Sequence, residues 1–588
     1  MKRQVRLSLA ATSVAVLALV SACGNGETEP ETAGDEGLGT TERILTDDGW
    51  ALYTGDPQEG GTVTVLGGVD FASFDPAIGV DGGVRNLYTL LYRFLTEYTY
   101  DIETGEMELV GDLAESWESN DDSTVWTFTL KEDIYFEDGS PITAEDVKFG
   151  VERALDPSVR IGDQLMRNAI EGAADYEGIF EDSDGLDSIV VIDERTIEFH
   201  TGDPVAGFPY IMGTPPSTPF PADQVETPGQ IADAPIASGP YRIAEYQEGE
   251  RLTLERNEHW NADTDPIRAA YADGFEFLLN LDNSTIDQRM MAGQGDDADA
   301  VQTAANPLQP ANLQQVQSNP DMVGRTVRTE PTCVWYMAFN MDNPDLDNLE
   351  VRQALNYALD KTSVQNAAGG EALADITHDM LLPMIDGREE FNLYETEGDA
   401  GDPELAAEML AEAGYEDGLE LTMDVRNLPM WQSMAEAVQQ SYAEAGVDVT
   451  LNVLDAASYY DVIGTPSQLG DLAITGVCTR GWLTGQIALE NRFHGNRIAE
   501  SGNLNHSQYD SEETNQALDE AAAMEDIDEQ NARYSEINRM IMEDAPVVPL
   551  LLIADLQMVG ENVGGAFANP ARTGYIDYSH VGLLDPEE

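Results

Sequence analysis

Hydrophobic and polar positions alternate along the chain with two different periods. Residues 60–66 (Gly-Gly-Thr-Val-Thr-Val-Leu) and 125–130 (Val-Trp-Thr-Phe-Thr-Leu) alternate with a period of two, which predicts half-buried β-strands. After the second strand, apolar residues recur at helical spacing from Val147 to Leu155. A hydroxyl at Thr143 followed by a carboxylate at Asp146 is typical of a helix N-terminus. This part of the chain is therefore predicted to form a strand, a turn and a capped helix.

A further helix is predicted by the residues at its two ends. Asp402 suits the N-cap because its carboxylate can accept hydrogen bonds from free backbone N–H groups. Pro403 suits the first helical position, where no backbone donor is needed. Gly414 suits the left-handed residue that commonly ends a helix. The sequence therefore predicts a helix that begins at Pro403 and stops just before Gly414.

The first 22 residues have the features of a secretory signal peptide. Three basic residues precede an apolar run of 14 residues, Leu7–Val20, which is too short to cross a bilayer as a helix. The run ends in Leu-Val-Ser-Ala-Cys, which resembles the bacterial lipoprotein box and implies that Cys23 is lipidated; a plain cleavage site beside a chance cysteine is the alternative. Residues 23–57 are rich in Gly, Glu and Thr, which predicts a disordered acidic tether.

The amino-acid composition excludes some classes of binding partner. The 588 residues include 110 Asp and Glu against 29 Lys and Arg, a formal net charge of −81. Such a chain repels nucleic-acid backbones and anionic bilayers, so neither nucleic-acid binding nor membrane docking through basic patches is expected. The charge fits a solvated surface in a saline habitat, with ordinary acidic solubility as the alternative. The chain is longer than a protein with a single hydrophobic core usually is, which predicts two or three lobes.

The sequence lacks the motifs on which common catalytic and metal sites depend. It contains no phosphate-binding loop ending in Lys-Ser or Lys-Thr, no His-Glu-x-x-His, no Gly-x-Ser-x-Gly and no Cys-x-x-Cys. Its six histidines occur singly, whereas structural zinc needs grouped ligands. Its acidic clusters lack the spacing of a calcium loop. We therefore predict a protein that is not an enzyme and that uses no metal and no cofactor.

Several motifs, in a fixed order, resemble one known family. They are residues 112–157, 235–241 (Pro-Ile-Ala-Ser-Gly-Pro-Tyr), 254–260, 338–360, 402–415, 505–507 (Asn-His-Ser) and 543–550. Together they resemble the peptide-binding solute-binding proteins of ABC importers, family 5. The resemblance covers about residues 58–560.

This resemblance implies an α/β fold of the periplasmic-binding-protein-like type II (cluster C), with two large lobes joined by a hinge and an extra smaller lobe. The implied segments are 58–98, 228–330 and 546–588 for lobe I, 99–227 for the smaller lobe II, and 331–545 for lobe III. The ligand is expected between lobes I and III, which would close about the hinge to bury it.

Two cysteines remain if Cys23 is lipidated. An exported protein lies in a compartment that permits disulfides, so Cys333 and Cys478 are expected to pair. Two separate buried thiols are the alternative.

The residues after Cys478 depart from the family pattern. Family members that bind peptides carry an Asp shortly after the equivalent cysteine, where it pairs with the ligand's ammonium group, and Arg480 stands at that place here. A guanidinium repels an ammonium group and binds carboxylates through two hydrogen bonds. The hypothesis is that Arg480 faces the cleft and favours an anionic or neutral ligand group. The alternative is that Arg480 pairs with a neighbouring carboxylate and only shapes the wall.

Aromatic residues are the other expected ligand contacts, because ligand clefts combine apolar walls with a few polar groups. Phe71 and Phe74 follow the first long strand, Trp335 lies near Cys333, and Trp482 lies near Arg480. Trp431, expected on a loop that enters a helix, is a weaker candidate. Each of them could instead belong to a core.

The combined prediction is a lipid-anchored solute-binding protein at the outer face of the cytoplasmic membrane or in the periplasm. It would capture a small solute, a peptide by preference, and deliver it as a monomer to the permease of an ABC importer. An oligosaccharide, an opine or a metal chelate are the alternative ligands. A surface sensor that has lost transport is the alternative from another class.

Overall fold

The computed structural model describes residues 43–46, 49–71, 73–78, 82–102, 104–159, 165–181, 185–303, 305–456, 458–478 and 484–585. The strands are β1 (Ile44–Leu45), β2 (Ala51–Tyr53), β3 (Thr62–Leu66), β4 (Thr96–Tyr100), β5 (Met107–Gly111), β6 (Ala114–Ser119), β7 (Val125–Leu130), β8 (Ile189–Asp193), β9 (Thr196–His200), β10 (Tyr241–Gln247), β11 (Arg251–Arg256), β12 (Gly274–Leu278), β13 (Ala300–Gln302), β14 (Thr326–Arg328), β15 (Cys333–Phe339), β16 (Ala374–Ile376), β17 (Leu419–Arg426), β18 (Val447–Leu454), β19 (Leu472–Cys478), β20 (Val547–Ile553), β21 (Leu556–Met558), β22 (Val563–Gly564) and β23 (Gly582–Leu583). The α-helices are α1 (Gly82–Leu91), α2 (Ala144–Leu155), α3 (Leu165–Ala169), α4 (Phe208–Ile211), α5 (Gln230–Asp233), α6 (Asn283–Ala292), α7 (Pro310–Gln317), α8 (Pro320–Val323), α9 (Leu349–Ala358), α10 (Lys361–Ala367), α11 (Pro403–Glu412), α12 (Pro429–Glu444), α13 (Tyr459–Ile463), α14 (Gly485–Phe493), α15 (Glu512–Ala522) and α16 (Ile527–Asp544). None of these helices is both long and apolar enough to cross a membrane.

Lobe I contains two larger sheets built from segments that are far apart in the sequence, and β22 and β23 form a small antiparallel pair beside them. One has the strand order β10-β11-β12-β3-β13, in which β12 and β13 run parallel to β3. The other has the order β1-β2-β14-β21. Val63 and Val65 of β3 are fully buried while Thr62 is exposed, so the predicted alternation of this strand is confirmed.

The tether predicted over residues 23–57 is wrong in its last part. The described residues between 43 and 57 belong to lobe I, because β2 pairs with β14 through Ala51 and Val327. The indole of Trp50 is 6% exposed and packs in a core cluster with side chains of α6 and β21. A buried indole and a paired backbone hold this stretch in the fold. Residues 1–42, with the signal peptide and Cys23, lie outside the described residues.

Lobe II is a four-stranded antiparallel sheet, β6-β7-β9-β8, with the hairpin β4-β5 beside it. Strand β7 alternates between buried and half-buried residues along 125–130, as predicted. Helix α2 begins after Thr143, whose N–H and hydroxyl both donate to the carboxylate of Asp146, at 2.8 Å and 2.7 Å. Both predictions for this segment are therefore confirmed.

Lobe III is built on one six-stranded sheet with the order β16-β20-β15-β19-β17-β18. Strands β17, β18 and β19 are parallel, whereas β15 runs antiparallel to β19 and β20. Helices α9–α12 cover one face and α14–α16 cover the other. The helix predicted from its ends is α11, and the carboxylate of Asp402 accepts from the backbone N–H of Leu405 at 2.9 Å.

One predicted lobe boundary is shifted by the strand pairing. The family resemblance implies that residues 546–588 belong to lobe I, but β20 (Val547–Ile553) lies inside the lobe III sheet, between β16 and β15. The chain returns to lobe I only at β21, which pairs with β14. The other segment bounds stay predictions.

Two chain segments cross side by side between lobes I and III. The first leads from β14 through residues 329–332 to β15, and the second leads from β20 through Ala554 and Asp555 to β21. The N–H of Thr329 donates to the carbonyl of Asp555 at 2.9 Å, and the N–H of Asp555 donates to the hydroxyl of Thr329 at 2.7 Å. The crossing is therefore a two-stranded ribbon held by its own hydrogen bonds.

A buried histidine makes lobe III sensitive to acid. His506 is 5% exposed, and its Nδ1 lies 3.1 Å from the carbonyl oxygen of Ile463. Burial lowers the pKa of His506 to about 4. Histidine in the unfolded chain titrates near 6.5, so between these values the unfolded chain binds more protons and stability falls as the pH drops.

We expect His506 to lower the free energy of unfolding by about 3 kcal/mol between pH 7 and pH 4. Urea titrations of the wild type and of His506→Gln at both pH values measure the contribution, since the variant should lose less stability on acidification by that amount. An identical pH dependence of the two proteins would contradict the prediction.

Candidate functional site

A disulfide joins two strand ends at the edge of the lobe III sheet that faces the crossing. Cys333 and Cys478 are direct partners across β15 and β19, with an S–S distance of 2.04 Å. Cys333 lies three residues after Glu330 of the crossing segment. Strand β19 therefore ends at the edge of the sheet that faces the crossing. Arg480 and Trp482 belong to residues 479–483, which lie outside the described residues, and their predicted ligand contacts stay predictions.

Two tryptophans meet close to this disulfide. The ring of Trp335 on β15 lies against Gly476 of β19, where a Cβ atom would stand only 3.4 Å from the indole. With no side chain in the way, Trp335 reaches Trp431, and the ring centroids are 4.7 Å apart at an angle of 80°. The ring centroid of Trp431 also lies 5.6 Å from that of Tyr459. This geometry is the edge-to-face arrangement that aromatic pairs favour.

The predicted position of Trp431 needs correction. It lies inside the first turn of α12 rather than on a loop, because Pro429 already begins the helix. Trp431 is 3% exposed and belongs to the lobe III core, whereas Trp335 is half-buried at the edge of the sheet. Trp335 is therefore the better placed of the two to contact a ligand, with Trp431 as its support.

An arginine that sequence reasoning missed lies at the same edge. Arg426 is the last residue of β17, and its guanidinium carbon lies 5.6 Å from the ring centre of Trp431 and 5.1 Å from that of Tyr460. Its Nε donates to the carbonyl of Ala456 at 3.2 Å. These two rings and the carbonyl of Ala456 are its contacts, with no ion pair to a described carboxylate, although the chain holds 110 acidic residues. A half-buried, stacked guanidinium with free donors suits an anionic group.

Three exposed apolar or aromatic side chains lie near the same ends of the strands as Arg426. Leu428, Val453 and Tyr460 follow or end the parallel strands at this edge and are 36%, 49% and 44% exposed. In open sheets with parallel strands, ligands bind in the crevice beyond the carboxyl ends of those strands. The edge formed by the carboxyl ends of β17, β18 and β19 is therefore the candidate site. Its signal in the sequence is a basic residue placed between a strand and the Asn-Leu-Pro start of a helix.

The two predicted phenylalanines lie in lobe I. Phe71 is half-buried and meets Phe277 at 5.6 Å, while Phe74 is 5% exposed and meets Tyr246 at 4.9 Å. The hydroxyl of Tyr246 donates to Asp70 at 2.9 Å, which fixes this loop on the sheet. Phe74 is thus a core residue, and a ligand contact for Phe71 stays a prediction.

No metal-binding group was found within the described ranges, where no three His, Cys, Asp or Glu side chains are arranged to hold an ion. The donors at the candidate edge are guanidinium, amide and aromatic groups. Such groups bind organic ligands by stacking and hydrogen bonding.

Comparisons with known proteins agree with this architecture. The family model described as bacterial extracellular solute-binding proteins, family 5 Middle, matches residues 108–494. A probable D,D-dipeptide-binding periplasmic protein of Escherichia coli is 25% identical over 512 residues, which is 85% of this chain and 90% of that protein. A haem-binding protein A of Haemophilus influenzae is 25% identical over 525 residues, covering 86% and 87%. The solved structure of clavulanic acid biosynthesis oligopeptide binding protein 2 is 28% identical, covers 92% of this chain and 99% of its own, and superposes with a TM-score of 0.83.

Proposed function

Since the chain belongs to the bacterial extracellular solute-binding proteins of family 5, we propose that it captures a peptide between lobes I and III and delivers it to an ABC permease. Its fold is that of the type II periplasmic binding proteins, with two large lobes, a hinge and a smaller third lobe. Family and structural neighbours are binding proteins rather than enzymes.

The observation that carries the choice of a peptide is Arg426 beside an aromatic wall. A peptide offers a carboxylate for the guanidinium and side chains for the surfaces of Trp335 and Tyr460. The names of the dipeptide-binding and oligopeptide-binding relatives support this ligand class. Because one relative is named a haem-binding protein, a metal chelate is the second candidate ligand.

The proposed location is the outer face of the cytoplasmic membrane, or the periplasm, with a lipid anchor on Cys23. The signal-peptide pattern and the lipoprotein-like box support this proposal, as does the periplasmic location of a relative. The proposed working form is a monomer that docks on permease subunits. A cytoplasmic ATPase of the importer would supply the energy, since this sequence has no phosphate-binding loop.

Native mass spectrometry of residues 24–588 in high salt tests the ligand class. Denaturing the protein then releases any molecule that copurified with it, and tandem mass spectrometry identifies that molecule. A mixture of peptides supports the proposal, and an enrichment of acidic peptides would fit an arginine at position 480. A single sugar, opine or chelate would move the assignment to the alternative ligands.

Arg426 provides a test inside the candidate site. We expect Arg426→Gln to weaken the binding of a peptide about tenfold to a hundredfold, because a hydrogen bond to a charged group contributes about 1.5–3 kcal/mol. Isothermal titration with one peptide and its C-terminal amide measures the change. Arg539, which lies 4.3 Å from the ring centre of Phe391 on the other face of the sheet, provides the matched control.

Arg539→Gln removes a stacked arginine of the same kind and should leave the affinity unchanged. If Arg426→Gln binds the peptide as tightly as the wild type, Arg426 does not contact the ligand. The same titration on Arg480→Asp tests the role proposed for Arg480, since the reversed charge should favour a free ammonium group.

A further inference from the structure

A carboxylate in the hinge has no partner among the described residues. Asp555 lies in the second crossing segment, between β20 of lobe III and β21 of lobe I. Its N–H and its carbonyl both bond to Thr329 of the first segment, and the N–H of Ala554 donates to the carbonyl of Leu373 at 2.9 Å. These bonds fix the backbone and leave the side chain unused. Within the described ranges, the carboxylate of Asp555 makes no hydrogen bond and no ion pair.

This carboxylate is enclosed but still reaches solvent. Asp555 is half-buried, whereas its chain neighbours Ala554 and Leu556 are each 1% exposed. Its two carboxylate oxygens keep contact with solvent. Burial raises the pKa of Asp555 to about 6, and no described charge offsets this effect. A carboxylate that has lost part of its hydration gains most from a cation that can reach it.

The side chain of Asp555 lies on the same face of the crossing as the disulfide. Exposure alternates along residues 553–556 between half-buried and buried, as in an extended strand whose side chains point to opposite faces in turn. Ile553 packs on the same core cluster as Trp335, and Cys333 precedes Trp335 by two residues. The alternation therefore places Asp555 on the face of Cys333 and Trp335.

The other charged groups of the hinge lie on the opposite face. Arg328 and Glu330 stand on either side of Thr329 in the first crossing segment, and Nη2 of Arg328 pairs with Oδ2 of Asp375 at 2.7 Å. Burial raises the pKa of Glu330, and Arg328 and Asp375 modify it in opposite directions. Asp555 responds to none of these charges. The described charges of the hinge therefore leave Asp555 without a counter-ion.

We propose that Asp555 binds a cationic group of the captured solute, an ammonium or a guanidinium group, at the hinge end of the cleft. This proposal rests on the proposed function, because it assumes a solute held between lobes I and III. It adds a second charge to the recognition of that solute. Arg426 suits a carboxylate and Asp555 suits the opposite charge, and a peptide with free ends offers both.

Isothermal titration of the wild type and of Asp555→Asn with trialanine and N-acetyl-trialanine tests the proposal. We expect Asp555→Asn to bind trialanine about tenfold to a hundredfold more weakly, because a hydrogen bond to a charged partner is lost. The acetylated peptide has no ammonium group, so it should bind both proteins equally. If N-acetyl-Ala-Lys-Ala again distinguishes the two proteins, a basic side chain can supply the cation; if it does not, the N-terminus is the source.

Glu330→Gln is the matched control, because it neutralises a carboxylate of the same ribbon on the opposite face. It should leave the affinity for both alanine peptides unchanged. The ligand-free Asp555→Asn protein should melt at the temperature of the wild type or above it, since the carboxylate has no pairing to lose. A lower melting temperature would mean that the carboxylate already has a partner in the chain, such as Arg480, and would overturn the proposal.

Equal affinities of the wild type and Asp555→Asn for trialanine would also overturn it. If the wild type binds none of the peptides, the proposed function fails, and thermal unfolding in ethylammonium chloride and in sodium chloride at equal ionic strength decides the role of Asp555. Ethylammonium should then raise the melting temperature of the wild type more than that of Asp555→Asn. An equal rise in the two proteins would show that Asp555 does not bind the cation.

Discussion

Replacing both Cys333 and Cys478 by serine is expected to lower the free energy of unfolding by about 5 kcal/mol. The disulfide joins residues 145 positions apart, so it removes many conformations from the unfolded chain. The total stability of a protein is commonly 5–15 kcal/mol, and the expected loss is a large part of it. Guanidinium titrations of the wild type and of the double variant, both without reductant, measure the difference.

The control for this experiment is the same titration with a reducing agent. Reductant should bring the wild type down to the stability of the double variant and should leave the variant unchanged. Equal midpoints of the two oxidised proteins would contradict the prediction. The variant should also bind its ligand less tightly, since the residues after Cys478 lose their covalent attachment to β15.

Removing one carboxylate from the junction of lobes I and II is expected to be nearly as severe. Asp112 accepts from Nε of Arg93 at 2.7 Å and from Nη2 of Arg268 at 2.9 Å, and it also accepts from the N–H of Phe94. Asp265 is the second carboxylate of this network, 3.0 Å from Nη1 of Arg268. Asp112→Asn leaves two buried guanidinium groups with a single carboxylate and should cost about 3–5 kcal/mol.

The matched control is an ion pair at the surface. Glu132 pairs with Nη1 of Arg195 at 2.8 Å, but its side chain is 76% exposed. Glu132→Gln should change the stability by less than about 1 kcal/mol. Urea titration at pH 7 measures the free energy of unfolding of both variants. Comparable losses in Asp112→Asn and Glu132→Gln would mean that burial does not determine how much stability an ion pair contributes.

The same network predicts acid sensitivity with a definite sign. Burial disfavours the charged form of Asp265, but Arg268 and Arg93 outweigh it and hold the pKa of that carboxyl well below its usual range. A lowered carboxyl pKa stabilises the fold above the unfolded value near 3.9, and this contribution is lost as the pH falls further. Together with His506, this network is expected to lower the free energy of unfolding as the pH falls below neutrality.

The sequence predicts the elements whose signals are local. Strand β7 follows from the alternation in residues 125–130, and the starts of α2 and α11 follow from Thr143 and Asp402, because each signal depends on residues a few positions apart. The family resemblance supplies the three-lobed fold. It does so through ordered motifs that composition alone does not reveal.

Features that depend on contacts between distant segments were not predictable in this way. The position of β20 inside the lobe III sheet depends on pairing with β15, more than 200 residues earlier in the chain. The contact between Arg426 and Tyr460 depends on the pairing of β17 with β18, because Tyr460 follows β18 in the chain. The composition of residues 23–57 predicts a tether, whereas the buried position of Trp50 depends on side chains of α6 and β21 that are distant in the sequence.

The late return of the chain through β20 and β21 also governs when the protein can fold during synthesis. The lobe III sheet lacks one of its inner strands until residue 553 has emerged, and the lobe I core lacks Tyr578 and Leu583 until almost the whole chain has emerged. Domains usually fold as units once their sequence is complete. Neither large lobe can therefore complete its fold until the last part of the chain is available. That order of events fits the export proposed above, because a chain that crosses a membrane channel has to stay unfolded until it has passed.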